Sequence, residues 1–280
     1  MLYRLYKTKR GILIKHEDDY FLLKNMDWNE FINDDNLHQK IAAAISSGIK
    51  SNNGTQLILH ELLAPIDRQE IWASGVTYYR SKEARMEEAK NAGGATFYDR
   101  VYEADRPELF FKATAQRTVG SGEYVNIRKD SDWDVPEPEL TLFITSNAKI
   151  VGYTIGNDMS SRSIEGENPL YLPQAKVYEK SAGLGPCLSV PKELLSPDTS
   201  ITMEIIRNGH SEFLDSIAID KMKREHTELV QYLFMECIFP YGCFLMTGTG
   251  MVPPKEFTLR SEDEIRITID NIGTLINRVN

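Results

Sequence analysis

Two segments of this chain carry residues that can build a divalent-cation site. They are Pro136-Glu137-Pro138-Glu139-Leu140-Thr141-Leu142 and, after one further apolar run, Asn157-Asp158-Met159-Ser160. On an extended strand alternate side chains share a face, so Glu137, Glu139 and Thr141 point one way and Leu140 and Leu142 the other. The flanking prolines fix φ and keep the segment out of a helix. Two carboxylates on one strand face repel each other unless a positive charge lies between them. Asp158, at the end of the next strand, can close the third side. Three carboxylate oxygens suit a hard cation, Mg²⁺ first with Mn²⁺ or Ca²⁺ as alternatives, completed by water or substrate. A Glu-x-Glu pair alone is more often a solvated strand face, so the reading depends on what else converges there.

The elements that must position these residues are mostly short strands. Beyond residue 65 the alternation of β-branched and aromatic residues predicts strands at Glu70–Ala73, Leu109–Lys112, Glu123–Ile127, Leu140–Thr145, Ile150–Ile155, Leu188–Val190, Ile201–Arg207, Phe244–Thr247, Glu264–Ile269 and Thr274–Val279. Asn208-Gly209 predicts a hairpin turn after Ile201–Arg207. Only Ser81–Lys90 and Thr227–Phe234 show helical spacing in this region. Strands that do not alternate with helices argue against a doubly wound fold. The first 65 residues read as a small α+β unit. It holds a hairpin (Met1–Tyr6 with Ile12–Lys15) and a helix through Ile41–Ile45, capped by Asp34 or Asp35 and stopped by Gly48. The expected organisation is therefore a small N-terminal domain over 1–65 and a large β-rich domain over 66–280.

Composition narrows the function classes. The 280 residues are 41% hydrophobic and 26% charged, ordinary values for a soluble globular protein. A net charge of −9 offers nothing basic to neutralise phosphates, which argues against nucleic-acid binding. No apolar run is long enough to cross a bilayer, and the start has no signal-peptide core. Cys187, Cys237 and Cys243 have no CxxC spacing and read as reduced, buried thiols of a cytoplasmic protein. The five histidines fall in no motif, which argues against zinc or Ser-His-Asp chemistry.

Further motifs gather around the carboxylate strand. Gly75-Val76-Thr77-Tyr78-Tyr79-Arg80-Ser81-Lys82-Glu83 runs from a strand through a turn into a helix, and Leu109-Phe110-Phe111-Lys112 ends an aromatic strand. Pro173-Gln174-Ala175-Lys176 and Gly183-Leu184-Gly185-Pro186 bracket a loop, and Thr247-Gly248-Thr249 follows a buried strand. With Gly152–Arg162 and the Glu137-Pro138-Glu139 strand, in this order and spacing, residues from about 70 to 280 resemble the fumarylacetoacetate hydrolase family. The resemblance implies an α+β, mainly β catalytic domain of mixed sheets rolled into a barrel-like core. It also implies a divalent metal on Glu137, Glu139 and Asp158, and a small-molecule 2-oxo acid as substrate.

Hydrolytic members of that family carry the pattern G-x-N-Y-x-x-H-x-x-E, in which His and Glu activate water. Here the Glu is read at Glu83 and the His as replaced by Arg80, a permanently charged group that cannot accept a proton. Arg106–Thr114 and Glu165–Tyr178 resemble instead the family's sugar-acid dehydratases. That branch implies metal-dependent dehydration of a 2-keto-3-deoxy-D-arabinonate-like acid to a 2,5-dioxo acid through a metal-stabilised enolate. The implied catalytic groups are Lys176, Glu83, Arg80 and Glu108, with Lys112, Arg162, Gln174 and Thr249 around the substrate. Competing readings are an acylpyruvate hydrolase or decarboxylase and, in another class, a non-catalytic binder of metal and 2-oxo acids. A homodimer or higher homo-oligomer is expected from the family and from the apolar segment Phe234–Phe244, which would otherwise expose a large patch.

Overall fold

The computed structural model describes residues 1–88 and 95–280. Its first part holds strands β1 (Leu2–Thr8), β2 (Gly11–His16) and β3 (Asp19–Leu23), then helices α1 (Trp28–Ile32), α2 (Leu37–Ser47) and α3 (Gly54–Glu61). Next come β4 (Glu70–Gly75), α4 (Tyr79–Glu88), α5 (Ala95–Glu103), β5 (Glu108–Thr114), β6 (Thr118–Val119), β7 (Tyr124–Val125) and β8 (Asp134–Val135). The centre is β9 (Pro138–Ile144), β10 (Ile150–Asp158), β11 (Ser160–Ser161), α6 (Arg162–Glu167), α7 (Leu172–Lys176) and β12 (Ala182–Pro191). The chain closes with β13 (Ser200–Arg207), β14 (His210–Ala218), α8 (His226–Phe234), β15 (Cys243–Met246), β16 (Glu264–Ile269) and β17 (Gly273–Val279).

Nine strands run side by side in the order β3-β2-β1-β12-β10-β9-β15-β4-β5, with β6 a tenth beside β12. Five more form a second sheet, β14-β13-β16-β17-β7, and β8 pairs with β11. Both large sheets are mixed, because β15–β4, β12–β6 and β17–β7 are parallel and the other pairings antiparallel. The large sheet ends on β3 and β5, so it curls without closing into a barrel. The strands before residue 65 extend the same sheet, since β1 pairs antiparallel with β12 from Leu2↔Pro191 to Leu5↔Leu188.

Period-2 alternation decides what each face of the central strand meets. Leu140, Leu142 and Ile144 of β9 pack into one core with Ile201, Met203 and Ile205 of β13 and Ile265 and Ile267 of β16. Phe143 enters the opposite core with Trp28, Phe31, Ile32, Leu37 and Ile41 from the N-terminal helices. Glu137 and Glu139 share the parity of Phe143 and so point away from the second sheet. All seven residues of β9 are buried, as expected for a strand covered on both faces.

Every expected strand forms, several longer than their apolar runs, although Glu123–Ile127 is reduced to the two residues of β7. The Asn208-Gly209 hairpin joins β13 to β14 with both residues at positive φ. The helix through Ile41–Ile45 forms as α2 and ends at Gly48, but Asn36 rather than Asp34 or Asp35 holds its N-cap position. Asp34 Oδ1 instead accepts from the Asn36 amide. Residues 89 and 90, the end of the expected helix after Ser81, lie outside the described residues. Of the three thiols Cys187 and Cys243 are buried, whereas Cys237 is exposed, correcting the expectation for that one. No helix among the described residues is long and apolar enough to cross a membrane.

Candidate active site

Glu137 and Asp158 meet because their backbones pair. Glu137 N donates to Asp158 O at 3.2 Å and Asp158 N to Glu137 O at 2.9 Å, extending the β9–β10 ladder by one pair. Glu139 stands two residues along the same face, opposite Gly156. A Cβ at Gly156 would lie 2.4 Å from Thr141 Oγ1, so the close approach there needs glycine. Each of the three residues offers a carboxylate oxygen within 4.8 Å of the others, and all are buried.

The loop after β15 holds the third carboxylate from above. Thr247 bonds Leu140 O through its amide (3.0 Å) and hydroxyl (2.9 Å), and Thr77 Oγ1 donates to Thr247 O at 2.7 Å. Gly248, at φ +96°, then aims its amide at Glu139 Oε2, 2.6 Å away. The turn after β4 carries Val76 at φ +54°, an unusual conformation for a β-branched residue and one that costs on the order of 1–3 kcal/mol.

Four buried cations surround the carboxylates. Lys176 Nζ lies 2.5 Å from Glu137 Oε2, 3.1 Å from Asp158 Oδ2 and 2.6 Å from Ser160 Oγ. Arg162 reaches Glu137 Oε1 at 2.7 Å and Glu165 at 3.4 Å. Arg85 spans the same two glutamates, 3.2 Å from Glu137 and in direct contact with Glu165. Lys112 Nζ sits 2.6 Å from Asp158 Oδ1.

The charges are unevenly distributed. Burial would raise the carboxyl pKa of Glu137, but Lys176, Arg162 and Arg85 outweigh it and hold that group well below the usual carboxylate range. Glu139 goes the other way: burial first, then the charges of Asp158 and Glu137, push its pKa far above normal. Its hydrogen-bond donor is a neutral amide, so Glu139 is the carboxylate that most lacks a compensating cation. An all-oxygen donor set with one uncompensated member fits a hard divalent ion such as Mg²⁺.

The pocket is lined by these carboxylates and Lys176, with Ser74, Gly75, Val76, Ser81, Arg85, Glu108, Phe110, Leu172, Gly248 and Thr249. Glu108 leans on Gly75, where an added Cβ would lie 2.1 Å from its Oε2. Burial raises its pKa, against the lowering pull of Arg85 and Lys176. Thr249 is at the wall, its hydroxyl accepting from Met251 N at 3.1 Å.

Of the residues named from sequence, the pocket gathers Glu137, Glu139, Asp158, Lys176, Glu108 and Thr249. Lys112 and Arg162 are fully buried behind it, paired with the carboxylates rather than facing the cavity. Gln174 is exposed and offers only its backbone carbonyl, to Arg128 at 2.9 Å. Arg80 and Glu83 are exposed on α4 outside the pocket, and Arg80 pairs with Asp215 at 2.7 Å. Counting the hydrolase pattern from Gly75 gives the reason: its His falls on Ser81 and its Glu on Ala84, each one residue beyond the pair named from sequence. Ser81 and Arg85, one turn apart on α4, face the pocket instead. Arg85 and Glu165 escaped the sequence reading. The four-residue spacing from Ser81 is the signal for Arg85, and the three-residue spacing from Arg162 is the signal for Glu165, which pairs with it along α6.

Residues 71–280 match the family model described as fumarylacetoacetate (FAA) hydrolase C-terminal. The chain belongs to the fumarylacetoacetate hydrolase family. Among its relatives there, a probable 2-keto-3-deoxyxylonate dehydratase of Haloferax volcanii is 48% identical over 216 residues, covering 77% of this chain and 73% of that protein. A 2-dehydro-3-deoxy-D-arabinonate dehydratase of Saccharolobus solfataricus is 46% identical over 217 residues, with the same coverage of 77% and 73%. The solved structure of 2-keto-3-deoxy-D-arabinonate dehydratase complexed with magnesium and 2,5-dioxopentanoate superposes with a TM-score of 0.82 at 35% identity, over 100% of this chain and 98% of that one.

Proposed function

We propose that this protein is a Mg²⁺-dependent hydro-lyase that dehydrates a 2-keto-3-deoxy sugar acid of the arabinonate type to a 2,5-dioxo acid. The observation that carries it is a buried pocket in which three carboxylates, Lys176 and Glu108 converge, on a fold shared over its whole length with a dehydratase of that substrate. Glu137, Glu139 and Asp158 would hold the ion. When bound, Mg²⁺ supplies a Lewis acid that polarises the 2-oxo group and acidifies the C3 protons.

The protein's own groups supply the proton transfers. Lys176 Nζ, at the pocket wall beside the carboxylates, would take the C3 proton as the free amine. The ammonium reaches that form by losing its proton to solvent once Mg²⁺ held by Glu137, Glu139 and Asp158 replaces it as their counter-charge. Glu108, whose burial favours the protonated carboxyl, gives its proton to the departing C4 hydroxyl, which leaves as water. The C3–C4 double bond then moves to C4–C5 as a proton passes from C5 to C3, and the resulting enol becomes the C5 aldehyde. Thr249 and the amide loop at Gly248 border the carboxylate end of the substrate, while Phe110 and Leu172 shield the pocket from water.

The decisive assay gives the metal-free protein, reloaded with Mg²⁺, a panel of 2-keto-3-deoxy pentonates and hexonates and follows product mass. Loss of one water supports dehydration; cleavage into two acids overturns it. The protein works as a cytoplasmic homodimer, with Met235, Ile238 and Tyr241 in the interface. That reading is supported by their exposure at 58%, 87% and 39% beside the buried Phe239 and Phe244. Light scattering that returns a monomer of 31.9 kDa at micromolar concentration overturns the dimer.

A further inference from the structure

Lys112 is 0% exposed and does not line the pocket, yet its ammonium group donates to two backbone carbonyls and forms an ion pair with one carboxylate. Asp158 Oδ1 lies 2.6 Å from Nζ, Met159 O 2.9 Å and Lys176 O 2.5 Å. The first two belong to the end of β10 and its exit, the third to the last residue of α7. One side chain thus ties the strand that carries a metal ligand to the helix that carries the pocket lysine.

The sequence aims Lys112 there by a backbone irregularity. Strand β5 pairs with β4 as Trp72↔Phe111 and Ile71↔Ala113, so Lys112 is the extra residue of a β-bulge. Bulges re-aim side chains and are common beside active sites. The ring of Tyr178, 5.8 Å from Nζ, closes the remaining side. Asp158 therefore has one oxygen on each lysine: Oδ1 on Lys112 and Oδ2 on Lys176.

We propose that Lys112 is a positioning residue: it acts on the reaction by fixing the backbone of Lys176 against Asp158, without contact to substrate or metal. The proposal rests on the dehydratase reading, in which Lys176 moves the C3 proton. A compact ammonium suits two convergent carbonyls and a carboxylate, whereas a planar guanidinium spreads its donors over a wider fork.

The test compares Lys112→Met, Lys112→Arg and wild type by steady-state kinetics on a 2-keto-3-deoxy pentonate and by calorimetric titration of each metal-free protein with Mg²⁺. In Lys112→Met, kcat is expected to fall on the order of 100-fold, as misplacement of a reacting group by about an ångström does. KM should stay within about threefold, because no substrate contact is removed. Mg²⁺ affinity should hold or rise, since a neighbouring positive charge has gone. A general loss of structure would instead weaken Mg²⁺ binding, kcat and melting temperature together, and that pattern overturns the proposal. So does a kcat in Lys112→Met close to wild type. If Lys112→Met does not fold, Lys112→Arg is read instead: a folded variant with wild-type kcat overturns the proposal and one with depressed kcat supports it. If neither folds, Lys112 is structural and the proposal fails. A wild-type protein that dehydrates no pentonate sinks the activity reading alone; the role of Lys112 is then decided by Mg²⁺ titration of Lys112→Met, where weakened binding overturns it.

Discussion

Glu137 and Asp158 face each other across two antiparallel strands and exchange both backbone hydrogen bonds, at 3.2 and 2.9 Å. In such a pair the Cα atoms stand about 5.5 Å apart and the side chains share a face. The ladder therefore sets the spacing of two carboxylates before any ion arrives. Glu139 joins them two residues along and, of these three carboxylates, is the one with no ion pair among the described residues.

That imbalance gives the first prediction. Glu139→Gln removes the uncompensated charge and should weaken Mg²⁺ binding by more than about tenfold, the loss of roughly 1.4 kcal/mol or more of charge-assisted ligation. Since the carboxyl of Glu139 has a raised pKa, Mg²⁺ binding to wild type below that pKa should release a proton. Titrations in buffers of different ionisation enthalpy measure the release. Equal heats in all buffers, or an unchanged affinity in the variant, would contradict the assignment.

Glu108 gives a pH-dependent stability. Its folded pKa is raised above the ordinary 4.5 by burial. A carboxyl raised in this direction contributes stability fully present below the unfolded value and lost as pH climbs through the folded one. Metal-free Glu108→Gln should therefore gain on wild type as pH rises above 4.5, with the difference in melting temperature levelling off beyond the folded pKa. A variant that loses ground to wild type as pH rises has the wrong sign. The same variant should lose most dehydration at neutral pH, on the order of 10²–10⁴-fold for removal of a general acid.

How far the sequence disclosed this site depends on the kind of signal. The carboxylates were legible because period-2 alternation and proline boundaries force an extended β9 with Glu137 and Glu139 on one face. Asp158 was legible as the end of the next apolar run. The strands were legible for the same reason, although β10 and β12 run past their apolar stretches because glycines and small residues there still pair. The open edge of the large sheet was not, since closure depends on which strands become neighbours rather than on any local pattern. Lys112 and Arg162 were recognised as functional types but assigned to substrate; only three-dimensional pairing reveals that carboxylates consume their donors. Arg85 and Glu165 bind each other across 80 residues of sequence, a relation that no local spacing encodes.

Gly75 tests whether the placement of Glu108 matters apart from its chemistry. The two residues are register partners on β4 and β5, and an alanine methyl at Gly75 would lie 2.1 Å from Glu108 Oε2 and 2.7 Å from Cδ. The carboxylate has to swing away, because the methyl cannot. Gly75→Ala should keep Mg²⁺ affinity within about twofold and lower kcat by about tenfold or more, as displaced catalytic groups do. A fully active Gly75→Ala would place the proton donor elsewhere in the pocket.

The last prediction sets two arginines of one helix against each other. Arg80 is half exposed, with 53% of its side chain open to solvent, and pairs with Asp215 on the second sheet. Arg85 is buried and holds Glu137 and Glu165 together. Exposed pairs are screened by water and contribute about 0–1 kcal/mol, whereas breaking a buried pair leaves an uncompensated charge at about 3–5 kcal/mol. Arg80→His should therefore leave dehydration within about twofold of wild type and shift stability by less than about 1 kcal/mol. It should not introduce hydrolysis of acylpyruvates, because a histidine there projects from α4 away from the pocket. Arg85→Ala should lower melting temperature clearly and disturb Mg²⁺ binding, since Glu137 loses one of its three cations. Melting curves and turnover of the two variants, measured side by side, decide it. A large catalytic loss in Arg80→His with Arg85→Ala near wild type would mean that α4 turns its other face to the substrate.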